Sequence, residues 1–309
     1  MKQTTTEHLR QETRDPKPSG GGNPSGFSFD TIGFAGGGNR CYWQSGFFEG
    51  LNARYPQTPD HYVAVSAGAY HCVMNAIGIG ERVRTAAFGY AGEKRAERDW
   101  SRLKAGHSPF VVGTLFREFL TQQFGRLELA ALKAAPPILI QVSHPPPFMP
   151  ASLAALGSIT AYQLEKLLTG GAYSRAGRYL GLTTSWISTH DLDAPEQLVD
   201  AIMASSSVPP FIPVGTVNGR TALDGGLTDN PPIGKLKETE GKGGRTLLLT
   251  TRHGRSPPKA DRRIIVSPSQ DITVKKFAIG DEAGLRKAFD IGLRDGEAFA
   301  TQLPQLLLK

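Results

Sequence analysis

The sequence predicts an α/β domain with a mostly parallel central sheet flanked by helices on both faces. Three observations carry this. Short apolar runs of strand length alternate with longer stretches of helical period along the chain. A glycine-rich turn joins the first run, 29–35, directly to the periodic stretch 42–54, making a strand, loop, helix unit. A second run, 62–65, passes through Ser66 into 67–77, a stretch rich in small residues that can pack closely on a sheet. With 309 residues there is enough chain for one large domain with a substantial core.

In chain order, residues 1–26 are polar, rich in Thr, Gly, Pro and Ser, and without apolar periodicity, so they read as a disordered arm preceding a domain over 27–309. Trp43, Phe47, Leu51 and Phe48 mark the core side of the 42–54 helix. Further strands are expected at 138–142, around 179–188, at 246–251 and at 263–266; helices at 113–123, 160–168, 195–205 and 282–302. Residues 214–217 and 220–223 flank Asn218-Gly219, a dipeptide that favours a two-residue hairpin turn. Asn230-Pro231-Pro232 then argues against an immediate helix.

Composition narrows the function classes. The formal charge of +7 is divided between a mixed-sign stretch, 81–104, which reads as a solvated helix face, and a more one-sided run, Arg252, Arg255, Lys259, Arg262 and Arg263. The second run suits anionic lipid head groups; no stacking aromatics interleave with it, and no nucleic-acid module signature appears, so no nucleic-acid partner is expected. Cys41 and Cys72 stand in no C-x-x-C pair and beside no histidine at zinc spacing, so they read as small buried side chains, with no metal site or disulfide framework. There is no apolar leader segment and no stretch of about 18 uninterrupted apolar residues, so the expected compartment is the cytoplasm.

Three short motifs carry chemistry. Gly36-Gly37-Gly38-Asn39-Arg40 follows the first strand. A dinucleotide fingerprint wants a third glycine where Cys41 stands, and a P-loop wants a Gly-Lys-Ser/Thr that is missing. Two readings remain: a plain turn, or a loop bringing backbone N–H groups to a developing oxyanion. Ala64-Val65-Ser66-Ala67-Gly68 is close to the G-x-S-x-G nucleophile elbow, with Ala64 for the first glycine; Ser66 is either a nucleophile or a helix N-cap. Asp224-Gly225-Gly226 closes the hairpin, so Asp224 is either a base or a loop carboxylate satisfying N–H groups. Asp229 is a competing carboxylate further from the hairpin's end.

Taken in order, the three motifs resemble the patatin-like phospholipases and lipid acyl hydrolases: a strand into Gly-Gly-Gly-x-Arg, an elbow tens of residues later, then Asp-Gly-Gly after a short hairpin. The run Ala204-Ser205-Ser206-Ser207-Val208-Pro209-Pro210-Phe211 is similar to the segment preceding that family's catalytic aspartate. The resemblance covers roughly 29–233 and implies the three-layer αβα patatin-like fold. It further implies Ser66 as nucleophile, Asp224 as base, an oxyanion hole from Gly36, Gly37 and Gly38, and Arg40 toward a substrate head group. Ala64, Gly68, Gly225 and Gly226 support these motifs. Cys41 departs from the small residue that commonly follows the arginine. The implied activity is hydrolysis of phospholipid or other lipid esters, without cofactor or metal and with peripheral membrane contact.

Two alternatives stay open. Ser66, Asp224 and His253 stand in the chain order of an α/β-hydrolase triad. The scaffold could also bind lipid or protein without turnover, using the amphipathic segment 148–159, in which Phe148, Met149, Leu153, Leu156 and Ile159 recur.

Overall fold

The structure is a computed structural model that describes residues 27–93, 96–150 and 173–307, with 153, 154, 156, 157 and 160 between the last two stretches. The predicted arm and, apart from Thr160, the predicted 160–168 helix lie outside the described residues. Eight strands form one sheet: β1 (Thr31–Phe34), β2 (His61–Val65), β3 (Ile138–His144), β4 (Thr183–Ser188), β5 (Gly215–Val217), β6 (Arg220–Asp224), β7 (Thr246–Leu249) and β8 (Arg263–Val266). The order β3-β2-β1-β7-β8 is parallel throughout. β4 and β6 both run antiparallel on β3.

Side-chain alternation sends the two faces of each strand into different cores. Ile32, Phe34, Tyr62, Ala64, Leu247 and Leu249 enter the principal core, beside helices α1 (Tyr42–Arg54), α2 (Ala67–Ala76) and α3 (Gly80–Gly92). The same core takes in α4 (Val112–Gln123), α5 (Arg126–Ala134), α6 (Pro195–Ser205) and the long C-terminal α8 (Glu282–Leu307). Val63 and Leu248 point the other way, onto Ile233 and Leu236 of α7 (Ile233–Gly241). Helices thus flank a mostly parallel sheet, the three-layer α/β arrangement that the sequence predicts.

Packing of α1 against α8 is unusually close. A Cβ on Gly46, Gly50, Gly292 or Gly296 would run into the backbone of the opposite helix. Trp43, Phe47, Leu51 and Phe48 are all buried as the sequence pattern requires, but so are Gln44, whose amide reaches carbonyls at the ends of β1 and β7, and Ser45, which is hydrogen-bonded to His71 of α2, while α8 covers Gly46 and Gly50.

Several expectations need correction. The 179–188 segment begins as a helical turn, Ala176–Tyr179, and passes Gly181 at φ 76° before the strand starts at Thr183. A left-handed glycine ends the turn and shortens the strand. Helix α7 starts directly after Pro232, contrary to the sequence expectation; a proline ahead of the first turn removes only an N–H that no intrahelical bond needs. Helix α5 is also absent from the sequence reading. Arg263, placed by its sequence in the basic run suited to anionic head groups, is not available to them: its guanidinium is buried and forms a forked pair with Glu240, at 2.7 and 2.6 Å. Among the described residues no helix is long and apolar enough to cross a membrane.

Candidate active site

The site forms where β1 and β2 end. Gln44, one turn into α1, donates to the carbonyls of Ala35 and Leu249, both at 2.9 Å, and so ties the ends of β1 and β7 beneath the glycine loop. The loop is fitted to its surroundings by the absence of side chains. A Cβ on Gly36 would lie 2.9 Å from Ser66 Cβ, and one on Gly37 would lie 2.5 Å from Thr251 Oγ1. Gly38 has φ +59° and would collide with the Lys276 carbonyl. The Gly36 N–H is already donated, at 3.0 Å, to Asn230 Oδ1.

Ser66 sits at the turn from β2 into α2 with φ 56° and ψ −139°, a conformation that a non-glycine residue adopts only when its surroundings enforce it. Those surroundings are specific. The Ser66 N–H donates to Ser205 Oγ at 2.8 Å, and that hydroxyl donates onward to the Gln141 carbonyl at 2.6 Å. Gly68 packs against the end of β1, where a Cβ would lie 2.6 Å from the Ala35 carbonyl. Ala64 is fully buried in the principal core, so a methyl group fits where the elbow motif has glycine. Ser66 side-chain capping of α2 is not observed.

Sheet topology delivers Asp224. β2 pairs β3 only as far as Val65↔Gln141, while β4 occupies the other edge of β3 through His144. β6 therefore takes the edge that β2 vacates, and pairs Asp224 with Val142, one residue past the end of β2. Two strands far apart in sequence are thus laid end to end. Asp224 Oδ2 accepts from Ser66 Oγ at 2.6 Å, and Oδ1 accepts from the Gly226 N–H at 2.7 Å. Gly225 is required for the tight reversal: a Cβ there would strike the Gln141 carbonyl and lie 2.9 Å from Val65 Cγ2. Burial pushes the Asp224 carboxyl up to about 6, against the opposing effects of the Ser66 hydroxyl, the Gly226 amide and the Lys276 charge.

Asp229 is placed elsewhere. It accepts from Tyr173 Oη at 2.5 Å and from the Gly234 N–H at 2.7 Å, and pairs with Arg178 at 3.7 Å. His253 Nδ1 faces the Pro268 carbonyl at 2.8 Å, while the Asp224 carboxylate is engaged by Ser66 and Gly226. Cys41 is buried, its Sγ 3.5 Å from the Ala35 carbonyl, and burial raises its thiol pKa far above the usual range. Arg40 is partly buried, and its Nε has no hydrogen-bond partner among the described residues.

Next to Ser66 lies a cavity of about 140 Å³, with Tyr42, Tyr70, Phe116, Phe119 and Phe277 among its largely apolar walls. The sequence names Ser205 and Asn230 only within longer segments, without their roles at the site, and gives no sign of a role for Thr251 or Lys276; these four fix the elbow and loop or line the cavity. Each is a single polar residue far in sequence from the motif it serves. Among the described residues no cluster of three or more His, Cys, Asp or Glu side chains is arranged to hold a metal ion.

A strand-to-helix serine against a carboxylate, on a three-layer α/β scaffold, defines the class as a serine–carboxylate αβα protein. The family model described as patatin-like phospholipase matches residues 33–237, and the chain belongs to that family. Membership supports lipid acyl hydrolysis as its general activity. No curated protein matches the chain. Among solved structures it is similar to VipD from Legionella pneumophila, with 13% identity, coverage of 89% of this chain and 67% of that chain, and a TM-score of 0.45, a likeness too loose to carry an argument.

Proposed function

We propose that the protein is a lipid acyl hydrolase of phospholipase A or lysophospholipase type that works through Ser66 and Asp224. The observation that carries this reading is the 2.6 Å hydrogen bond from Ser66 Oγ to Asp224 Oδ2, made by a serine held at φ 56°. Ser66 Oγ attacks the ester carbonyl carbon as its proton passes to Asp224. The tetrahedral oxyanion is held by N–H groups of Gly37 and Gly38, and its collapse expels the alcohol, which takes a proton from Asp224. Water then attacks the acyl-serine with Asp224 again as base, and Ser66 is released. A carboxyl near 6 is ionised at pH 7 yet is a better base than an ordinary aspartate. Gly36 supports the loop through Asn230, and Arg40 meets the anionic part of a head group.

The apolar cavity beside Ser66 receives the acyl chain. Exposed Phe148, Leu153 and Leu156 give the protein a peripheral contact with the lipid surface. No step uses a metal, so chelators are expected to leave the rate unchanged; a reproducible Ca²⁺ requirement would contradict the mechanism. The primary test is labelling by a fluorophosphonate probe. Wild-type protein is expected to label and Ser66→Ala to remain blank, with fatty acid released from defined phospholipids by wild-type only. Folded wild-type protein that neither labels nor releases fatty acid would mark the chain as a binding module.

A further inference from the structure

We infer that Asn39 is a positioning residue that docks residues 275–279, one wall of the cavity beside Ser66, onto the glycine loop. Its side-chain amide donates to the Lys275 carbonyl at 3.1 Å and to the Ala278 carbonyl at 2.7 Å. Its backbone N–H donates to the Lys276 carbonyl at 3.0 Å. One residue therefore meets three carbonyls of a four-residue stretch. A carboxamide has two side-chain donors, and both are used; aspartate has none to offer when ionised, serine one and alanine none. Contact is tight as well as polar, because Gly38, the preceding residue, has no room for a Cβ beside the Lys276 carbonyl.

The docked stretch forms part of the cavity. Lys276, Phe277, Ala278 and Ile279 line it together with Ser66, and Phe277 stacks on Phe211 with ring centroids 4.6 Å apart. These four residues lie outside 33–237, the part of the chain matched by the family model. The family core supplies Ser66, Asp224 and the glycine loop, while this wall is attached to that core by Asn39. Its consequence for substrate rests on the acyl-hydrolase reading. A cavity near 140 Å³ is close to the roughly 150 Å³ that accommodates benzene, so about six carbons fit within it. An acetyl group stays beside Ser66, whereas an octanoyl chain reaches the wall. Asn39 thus sets acyl-chain recognition, separately from the bond-breaking step.

The test uses full-length wild-type, Asn39→Ala and Asn39→Asp proteins, with folding checked by circular dichroism and thermal melts. Amide hydrogen exchange in a peptide spanning 275–279 is expected to quicken by about tenfold in Asn39→Ala, and further in Asn39→Asp, whose carboxylate faces two carbonyls. The kcat/KM for p-nitrophenyl octanoate is expected to fall about tenfold more than that for p-nitrophenyl acetate. Unchanged exchange would overturn the docking role, and equal losses on the two esters would overturn the chain-reading role. Should Asn39→Asp not fold, Asn39→Ser retains one donor and must fall between wild-type and Asn39→Ala. If wild-type protein hydrolyses neither ester, the acyl-hydrolase reading fails, and the exchange result still judges the docking.

Discussion

Replacing Asp224 by Asn should slow turnover by orders of magnitude while making the protein more stable at neutral and alkaline pH. Asn keeps an oxygen that can accept from the Gly226 N–H, and it removes a charge from a side chain that is 7% exposed. The folded carboxyl is raised from 3.8 to about 6, chiefly by burial. Between these values the native state binds more protons than the unfolded chain. This group's stabilising contribution is therefore full below about 3.8 and is lost as pH rises through about 6. At about 1.4 kcal/mol per pKa unit, the ionised carboxylate costs the fold about 3 kcal/mol at pH 8. The assay is chemical denaturation of both proteins from pH 3.5 to 8. Their stabilities should coincide at the acid end and separate to about 3 kcal/mol in favour of the Asp224→Asn protein at the alkaline end, with Tm higher by roughly 6 °C. Wild-type kcat/KM should show an acid limb with its midpoint near 6, and Asp224→Asn should lose about 10²- to 10⁴-fold in rate. A stability difference independent of pH, or an acid limb centred near 4, would refute the reasoning.

Gly37→Ala should lower kcat by about 10²-fold or more, since its Cβ meets Thr251 Oγ1 at 2.5 Å and displaces the loop. Adding Thr251→Ala should restore part of the rate, and no recovery would show that steric displacement is not the cause. His253→Ala should stay within about twofold of wild-type on a phospholipid substrate, because its ring is engaged with the Pro268 carbonyl. A loss of more than about tenfold in folded protein would favour the triad instead. Arg263→Met should destabilise by about 3–5 kcal/mol by stranding Glu240, and Arg263→Met/Glu240→Met should recover much of that; denaturant midpoints read both.

The local chemistry was legible because each motif imposes a backbone shape on its own few residues. Apolar run lengths gave β1, β2, β3, β7 and β8, and Asn218-Gly219 gave the hairpin, with Asn218 at φ 50° and Gly219 at φ 72°. Where the sequence misled, a distant partner had changed the meaning of a residue. Arg263 looks like one of a basic run until Glu240 encloses it. Helix α1 looks two-faced until α8 covers its second face through paired glycines. The prolines before α7 look like breakers until they occupy the one end of a helix that tolerates them.

The fold class was written in the sequence, and so was the choice of Ser66, Asp224 and the glycine loop as the candidate site, since strand period, turn chemistry and glycine are local properties. That Asp224 reaches Ser66 is a consequence of how the strands assemble. The contact depends on β6 taking the edge of β3 where β2 stops, a long-range pairing that no local pattern encodes. Tertiary structure likewise decided the environment of the carboxylate, because burial among residues from several elements raises its pKa. It also decided the wall of the cavity, because Asn39 acquires its partners only when residues 275–278 are folded against it.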